Sequence, residues 1–207
     1  MQNYKVSIAY EKLHFYKDMS LTEILLTFNT SSFDRQREML TILILSDANS
    51  VHTYRWAKSL KGKGINIEIF TLFKYENQFS PSYKSLGINV TTSNVNRFIL
   101  YKYRRNITKI SYLFSLRTLK KCIKRFDPQL IHAHYLTSYG VLARLSGFRP
   151  YCISIWGDDV FLSTKNFILK NLLFFSLKNA QQLFSTSYAI NDLMVNQYNL
   201  STTIIPF

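Results

Sequence analysis

Two cysteines, four prolines and six glycines are all that the 207 residues carry of those types, and each shortage excludes something. Cys122 and Cys152 lie far apart with no CxxC spacing, so neither a disulfide framework nor a thiolate metal clip organises the chain. A reducing compartment is the expected setting. So little proline and glycine leaves no room for a long linker. No run reaches the roughly 18 uncharged apolar residues that cross a bilayer. "FILKNLLFFSLKNA" comes nearest, and Lys170 and Lys178 break it. The opening "MQNYKVSIAYEKLHF" contains Glu11 and has no unbroken apolar core, so it does not read as a secretion signal. The expected location is cytoplasmic. No GxGxxG follows the first strand, which argues against a dinucleotide oxidoreductase. "TSYGV" is not a nucleophile elbow.

Acidic residues are also scarce: 12 Asp and Glu face 26 Lys and Arg, for a formal net charge of +14. Such an excess implies an anionic partner: nucleic acid, an acidic membrane surface or a phosphorylated substrate. No helix-turn-helix, RNP or zinc-finger pattern accompanies it, so nucleic acid is not the expected partner, although the charge permits it.

What is present is apolar and patterned. A hydrophobic fraction of 47% with 15% aromatics suffices for a substantial core. Short apolar runs read as strands: "MLTILIL", "INIEIFTLF", "GINVTT", "LIHAHY", "YCISIW", "LFSTS" and "TTIIPF". Between them lie helical patterns. In "VHTYRWAKSLKGKG", Val51, Tyr54, Trp56, Ala57 and Leu60 recur at helical spacing, and Gly62 and Gly64 supply the stop. Asn96 to Phe126 is helical in character and "DPQ" ends it. "TSYGVLARLSG" follows, with Thr137 or Ser138 as the expected N-cap. A basic amphipathic helix is expected from Lys165 to Asn179, and another helix over "YAINDLMVNQY". "KYENQFSPSYKSL" reads as a polar loop. The alternation implies βαβ units: an α/β, Rossmann-like, doubly wound parallel sheet. Its ligand site should lie outside the carboxyl ends of the strands, where Ser46–Ser50, Tyr135–Tyr139 and Trp156–Asp159 are expected to converge. Residues 1–38 fit this scheme poorly, with at most a short helix opened by a Ser20–Glu23 capping box. They read as an extension, with the domain spanning 39–207.

"ILILSDANSVHTYRWAKSLKGKGINIEIFTL", "DPQLIHAHYLTSYGVLARLSG", "ISIWGDDVF" and "IIPF" occur in this order. Together they resemble the N-terminal half of a family-four, retaining, nucleotide-sugar glycosyltransferase of two-domain GT-B architecture. The resemblance covers Met39 to Phe207. It implies that the loop after the first strand lies beside the donor diphosphate and the acceptor. The N-terminus of the following helix gives that placement a physical reason. The double glycine of many relatives is missing here, so Ala48, Asn49 and Ser50 are expected to contact acceptor instead, with His52 also counted as substrate-binding. Where relatives commonly read His-Gly-Ser-Asp or Trp-Gly-Ser-Asp, this chain has Trp156, Gly157, Asp158 and Asp159. The tryptophan offers a flat face for a sugar ring and cannot shuttle a proton.

His132 and His134 are two apart, so they share one face of a strand. No carboxylate or cysteine accompanies them at ligand spacing, and a metal site is not expected. A structural pair is one reading. The other, which the resemblance implies, has His134 and Tyr135 lining the crevice and His132 in the core.

The resemblance also implies front-face transfer, in which the leaving phosphate assists the incoming hydroxyl and the protein mainly positions and stabilises charge. The groups that do so in relatives, an Arg/Lys pair and a Glu-x7-Glu segment, belong to a C-terminal domain not found here. No catalytic residue is therefore assigned, and no cofactor is expected beyond a nucleotide-sugar donor used as substrate once a donor domain is supplied. The expectation is an incomplete transferase of surface polysaccharide or glycolipid synthesis, taking a sugar or lipid-linked acceptor. The alternative is an inactive binding module, or one partner of a split transferase. Arg97 to Phe126 holds ten Lys or Arg and no acid. Arg97, Lys102, Arg104, Arg105 and Lys109 are its expected contacts with an anionic inner membrane face.

Overall fold

The computed structural model describes residues 39–75, 80–95, 111–157 and 167–205, all within a unit running from Met39 to Phe207. The chain runs β1 (Thr41–Leu45), α1 (Val51–Gly62), β2 (Asn66–Phe73), α2 (Ser80–Ser85), β3 (Asn89–Val95), α3 (Ser111–Phe126) and β4 (Leu130–His134). A π-helical turn, Tyr135–Gly140, then leads into α4 (Val141–Ser146), β5 (Tyr151–Ile155), α5 (Phe167–Leu177), β6 (Gln182–Ser185), α6 (Tyr188–Tyr198) and β7 (Thr203–Ile204). The seven strands form one sheet in the order β3-β2-β1-β4-β5-β6-β7, parallel at every pairing. This is the Rossmann-like α/β architecture read from the sequence.

The strands are unbroken apolar runs because both faces of a parallel sheet are covered. Period-two alternation sorts their side chains. Leu43 and Leu45, with Ile131, Ala133, Tyr151, Ile153 and Ile155, enter one core with Leu119 of α3, Leu142 of α4, Leu173 and Leu177 of α5 and Met194 of α6. The alternate residues face the other way, and the register aligns them: Ile44 pairs with His132, His132 with Cys152, and His134 with Ser154. This second face lies under α1, whose Thr53, Ala57 and Leu60 are buried.

Helix ends follow local chemistry. α1 stops at Gly62, and Gly64 takes a left-handed φ of 80° that glycine adopts freely. Ser187 caps α6, its side chain accepting the Ile190 N–H, and Asn199 closes it in a left-handed conformation.

Three local expectations change. The stretch expected to be a polar loop carries the short helix α2, with Pro81 in the first turn, where its missing N–H costs nothing. Thr137 and Ser138 are not N-caps, because the helical turn begins immediately after β4 at Tyr135. α5 is apolar rather than basic: Lys170 is the one charged residue of "FILKNLLFFSL", and Leu173, Ser176 and Leu177 are buried. Expectations placed on residues 1–38 and 96–110 lie outside the described residues. Among those described, no helix is long and apolar enough to cross a membrane.

Candidate functional site

β1, β4 and β5 are neighbours pointing the same way, so the turns that leave their carboxyl ends meet at one rim. The chain steps from β1 outward to β2 and β3, then back across to β4. That reversal opens a crevice between β1 and β4.

The turn after β1 is held from several sides. Asp47 Oδ1 accepts the Asn49 backbone N–H at 3.0 Å and its side-chain amide at 3.1 Å. The same amide also donates to the Lys74 carbonyl at 3.2 Å, tying this turn to the end of β2. The Asp47 carbonyl accepts the Ser50 N–H, and the Ser50 carbonyl accepts that of Tyr54. Ala48 is fully buried, with the Tyr83 hydroxyl donating to its carbonyl at 3.4 Å. Tyr54 and Tyr75 pack edge-on against Tyr83. Burial, with Tyr75 and Asp47 adding to it, pushes the Tyr83 phenol well above its usual range.

Across the rim from Asn49, an aromatic cluster forms around the two histidines of β4. Their rings meet edge to face at 4.6 Å. Trp56 of α1 lies 5.1 Å from His132 and 5.6 Å from His134, and Phe184 of β6 closes the side of His132 at 5.8 Å. Trp156, following β5, touches three rings: His134 at 4.9 Å, Tyr135 at 4.6 Å and His52 at 5.3 Å. His52 and Trp56 are one helical turn apart on α1, so the helix presents both to the same place.

Hydrogen bonds fix the histidines. His132 Nε2 meets Ser154 Oγ at 2.8 Å. His134 Nδ1 meets Ser46 Oγ at 3.1 Å, and Ser46 Oγ meets Thr53 Oγ1 at 2.7 Å. Among the described residues, neither His132 Nδ1 nor His134 Nε2 has a hydrogen-bond partner. Burial lowers His132 to about 3. Burial first, then His132 and His52, holds His134 well below the usual imidazole range. Both rings are neutral at physiological pH.

Tyr135 takes a left-handed φ of 68°, a conformation that costs a non-glycine residue roughly 1–2 kcal/mol. Backbone strain of this kind collects at binding sites, and here it swings the ring onto Trp156. Gly157, at φ 109°, stands where a side chain would be strained.

The structure therefore brings His52, His134, Tyr135 and Trp156 together, with Gly157 adjacent. His134 is fully buried and backs the crevice, while His52, Tyr135 and Trp156 are half-buried at its mouth. Asn49 turns toward β2, and Ser50 stands at the N-cap of α1 without a side-chain capping bond. Asp158 and Asp159 lie outside the described residues, as do Arg97, Lys102, Arg104, Arg105 and Lys109. Sequence reading gave no role to Ser46, Thr53, Ser154 or Phe184, and gave Trp56 only a packing role. The i to i+4 relation of His52 and Trp56 was a signal for the last. The others depend on strand register. No group of three His, Cys, Asp or Glu suited to a metal occurs among the described residues. Chemically, the rim can hold ring faces and hydroxyls.

A family model described as glycosyl transferase 4-like matches residues 41–187. By structure, the chain resembles a Listeria monocytogenes protein described as a UDP-N-acetylglucosamine 2-epimerase, at TM-score 0.56 and 10% identity over 81% of this chain and 44% of that one. It also resembles a Glycyrrhiza uralensis protein crystallised with glycyrrhetinic acid 3-O-monoglucuronide, at TM-score 0.54 and 10% identity over 80% and 48%. HepE of Anabaena, in complex with UDP and glucose, aligns at TM-score 0.55 and 12% identity over 81% and 44%. The chain thus spans less than half the length of each of these structures. Among curated proteins, none matches the sequence.

Proposed function

Because the chain belongs to the glycosyl transferase 4-like family, we propose that 39–207 is the acceptor-side half of a nucleotide-sugar-dependent glycosyltransferase. We place it in surface polysaccharide or glycolipid synthesis. The observation that carries the reading is the meeting of His52, Tyr135 and Trp156 at one rim over the buried His134. Aromatic faces of this kind pack against the C–H faces of a sugar.

The electrostatics fit a front-face transfer. That reaction asks the acceptor side for orientation rather than for a base, because the departing phosphate receives the proton. His132 and His134 are held neutral by burial, which suits residues that position. Stabilising the growing charge on the diphosphate then falls to a donor domain, in this polypeptide or in a partner. Sedentary docking on an anionic membrane face, through α3 and the basic stretch before it, would bring lipid-linked acceptors to the rim.

Isothermal titration with the full chain tests the acceptor-side assignment. UDP alone should show no saturable binding below about 1 mM, an affinity near 4 kcal/mol. Micromolar UDP binding would overturn the assignment, since the diphosphate site would then be on this half. Deleting the gene should alter the glycolipid or surface-polysaccharide profile of the host, and an unchanged profile removes the pathway. A binding module of the same fold shares the rim. It is told apart by adding a donor half, which restores transfer only in the first case.

A further inference from the structure

The protein is strongly basic, yet the described side chains in contact at the mouth of its rim are not. The side chains in contact there are Ser46 after β1; His52, Thr53 and Trp56 from α1; His132 and His134 from β4, with Tyr135; Ser154 and Trp156 from β5; and Phe184 from β6. None is lysine, arginine or a carboxylate. Arg55 and Lys58, the described cations nearest along the chain to the turn after β1, are exposed.

Asp47 places a carboxylate oxygen on the Asn49 N–H at 3.0 Å, in the turn just before Ser50, the N-cap of the 12-residue helix α1, so the acidic side chain described in this turn brings negative charge to the start of the helix. The ring faces of Trp56 and Trp156 carry the negative side of an aromatic quadrupole, which attracts cations and repels anions.

Beside Trp156 a cavity of about 10 Å³ opens among Trp56, Ser154, Phe184, Ser185 and Thr186. That is the room of one water molecule, walled by rings and hydroxyls together with the aliphatic side chains of Ile155 and Ile205. It can take a single hydroxyl of a ring. A carboxylate seated there would lose its hydration with no described cation to replace it.

We propose that this rim accepts an uncharged sugar ring and excludes anionic ones, uronates and sugar phosphates among them. The proposal rests on the acceptor-site reading above and adds the charge class of the acceptor. The excess positive charge then serves the surface on which the protein works rather than the ligand it holds. His132 and His134 do not reverse this on mild acidification, because burial keeps both neutral well below the usual imidazole range.

Tryptophan fluorescence titration of the full chain tests it. The probes are methyl glycosides of glucose, galactose and N-acetylglucosamine, set against glucuronate, galacturonate and glucose 6-phosphate. At pH 7 at least one neutral glycoside should quench saturably, with the response lost in Trp156→Ala. Every anionic sugar should bind at least tenfold more weakly. Uronate affinity should also stay low from pH 8 to pH 5, while the uronate remains charged. Uronate or sugar phosphate binding as tightly as the neutral glycosides overturns the charge assignment and leaves the acceptor site standing. So does uronate binding that rises on acidification with a midpoint near the free imidazole value. If no sugar of either class quenches, the acceptor site itself fails, and the proposal with it.

Discussion

His132 and His134 owe their shared surroundings to one spacing. Two residues apart on β4, both turn to the face under α1, and both are fully buried. Their titration then sets a pH dependence. An unfolded imidazole titrates near 6.5, whereas His132 in the folded chain titrates at about 3 and His134 is also depressed. Between those values the unfolded chain binds more protons, so stability is fully present above about 6.5 and is lost as pH falls. The slope is roughly 1.4 kcal/mol per pH unit for each histidine. Urea midpoints at pH 7.5, 6 and 5 should therefore fall steadily, and a His132→Gln, His134→Gln double variant should flatten the fall. An equal midpoint at all three values would show that the folded rings reach solvent protons. Ser46→Ala removes the bonds to His134 Nδ1 and Thr53 Oγ1 at a fully buried position. The two groups it leaves cost about 1–3 kcal/mol, read as a lower urea midpoint at unchanged m-value. The spacing of the histidines was legible in the sequence. Their partners were not, because Ser154 meets His132, and Ser46 meets His134, only through the register between strands.

Elements were legible where local chemistry and burial agree. The span of α6 follows from a capping serine at one end and a left-handed asparagine at the other. α2 was hidden by a proline and serines that also build turns, and the nature of α5 by Lys165 and Lys178, which flank it in the sequence. α3 is the element that carries charge outward. Phe114, Arg117, Lys120, Lys121, Lys124 and Arg125 are exposed, and their spacing sets them on one face of the helix. Phe114 is 80% exposed at its start. Leu119 and Cys122 face the core, and burial, with Glu68 adding to it, pushes the Cys122 thiol up to about 12. Arg125 is committed to the buried carboxylate of Glu68, so Arg117 and the lysines are the ones available to lipid. Each basic residue near an anionic surface contributes about 1 kcal/mol. The full chain should sediment with phosphatidylserine vesicles but not with phosphatidylcholine vesicles, and high salt should release it. Replacing Lys120, Lys121 and Lys124 with glutamate should weaken that binding by tenfold or more, with the urea midpoint unchanged. Equal sedimentation of this variant would remove α3 from the membrane face.

For the whole molecule, strand type could be read from composition, while strand order could not. Unbroken apolar runs alternating with helices imply a parallel sheet, but only the long-range pairings place β1 in its interior, between β2 and β4. That position makes the start of the domain testable. Met39 is the first described residue, and the contacts just after it are structural. The Leu40 carbonyl accepts the Asn66 N–H at 2.9 Å, and the Thr41 carbonyl accepts the Gln129 N–H at 3.0 Å. Gln129 returns a bond from its side chain to the Thr41 N–H at 3.0 Å. A chain beginning at Met39 keeps all these bonds and every strand of the sheet. It should unfold in one cooperative step, within about 1 kcal/mol of the full chain, a small part of a typical domain's stability. A chain beginning at Ile44 strips three residues from this interior strand and the ladder on both sides of it. It should show no cooperative transition at all. If the Met39 chain also fails to fold, residues 1–38 belong to the domain and the boundary is wrong. If the Ile44 chain folds, β1 is not the strand on which the sheet depends, and the rim built at its end loses its foundation.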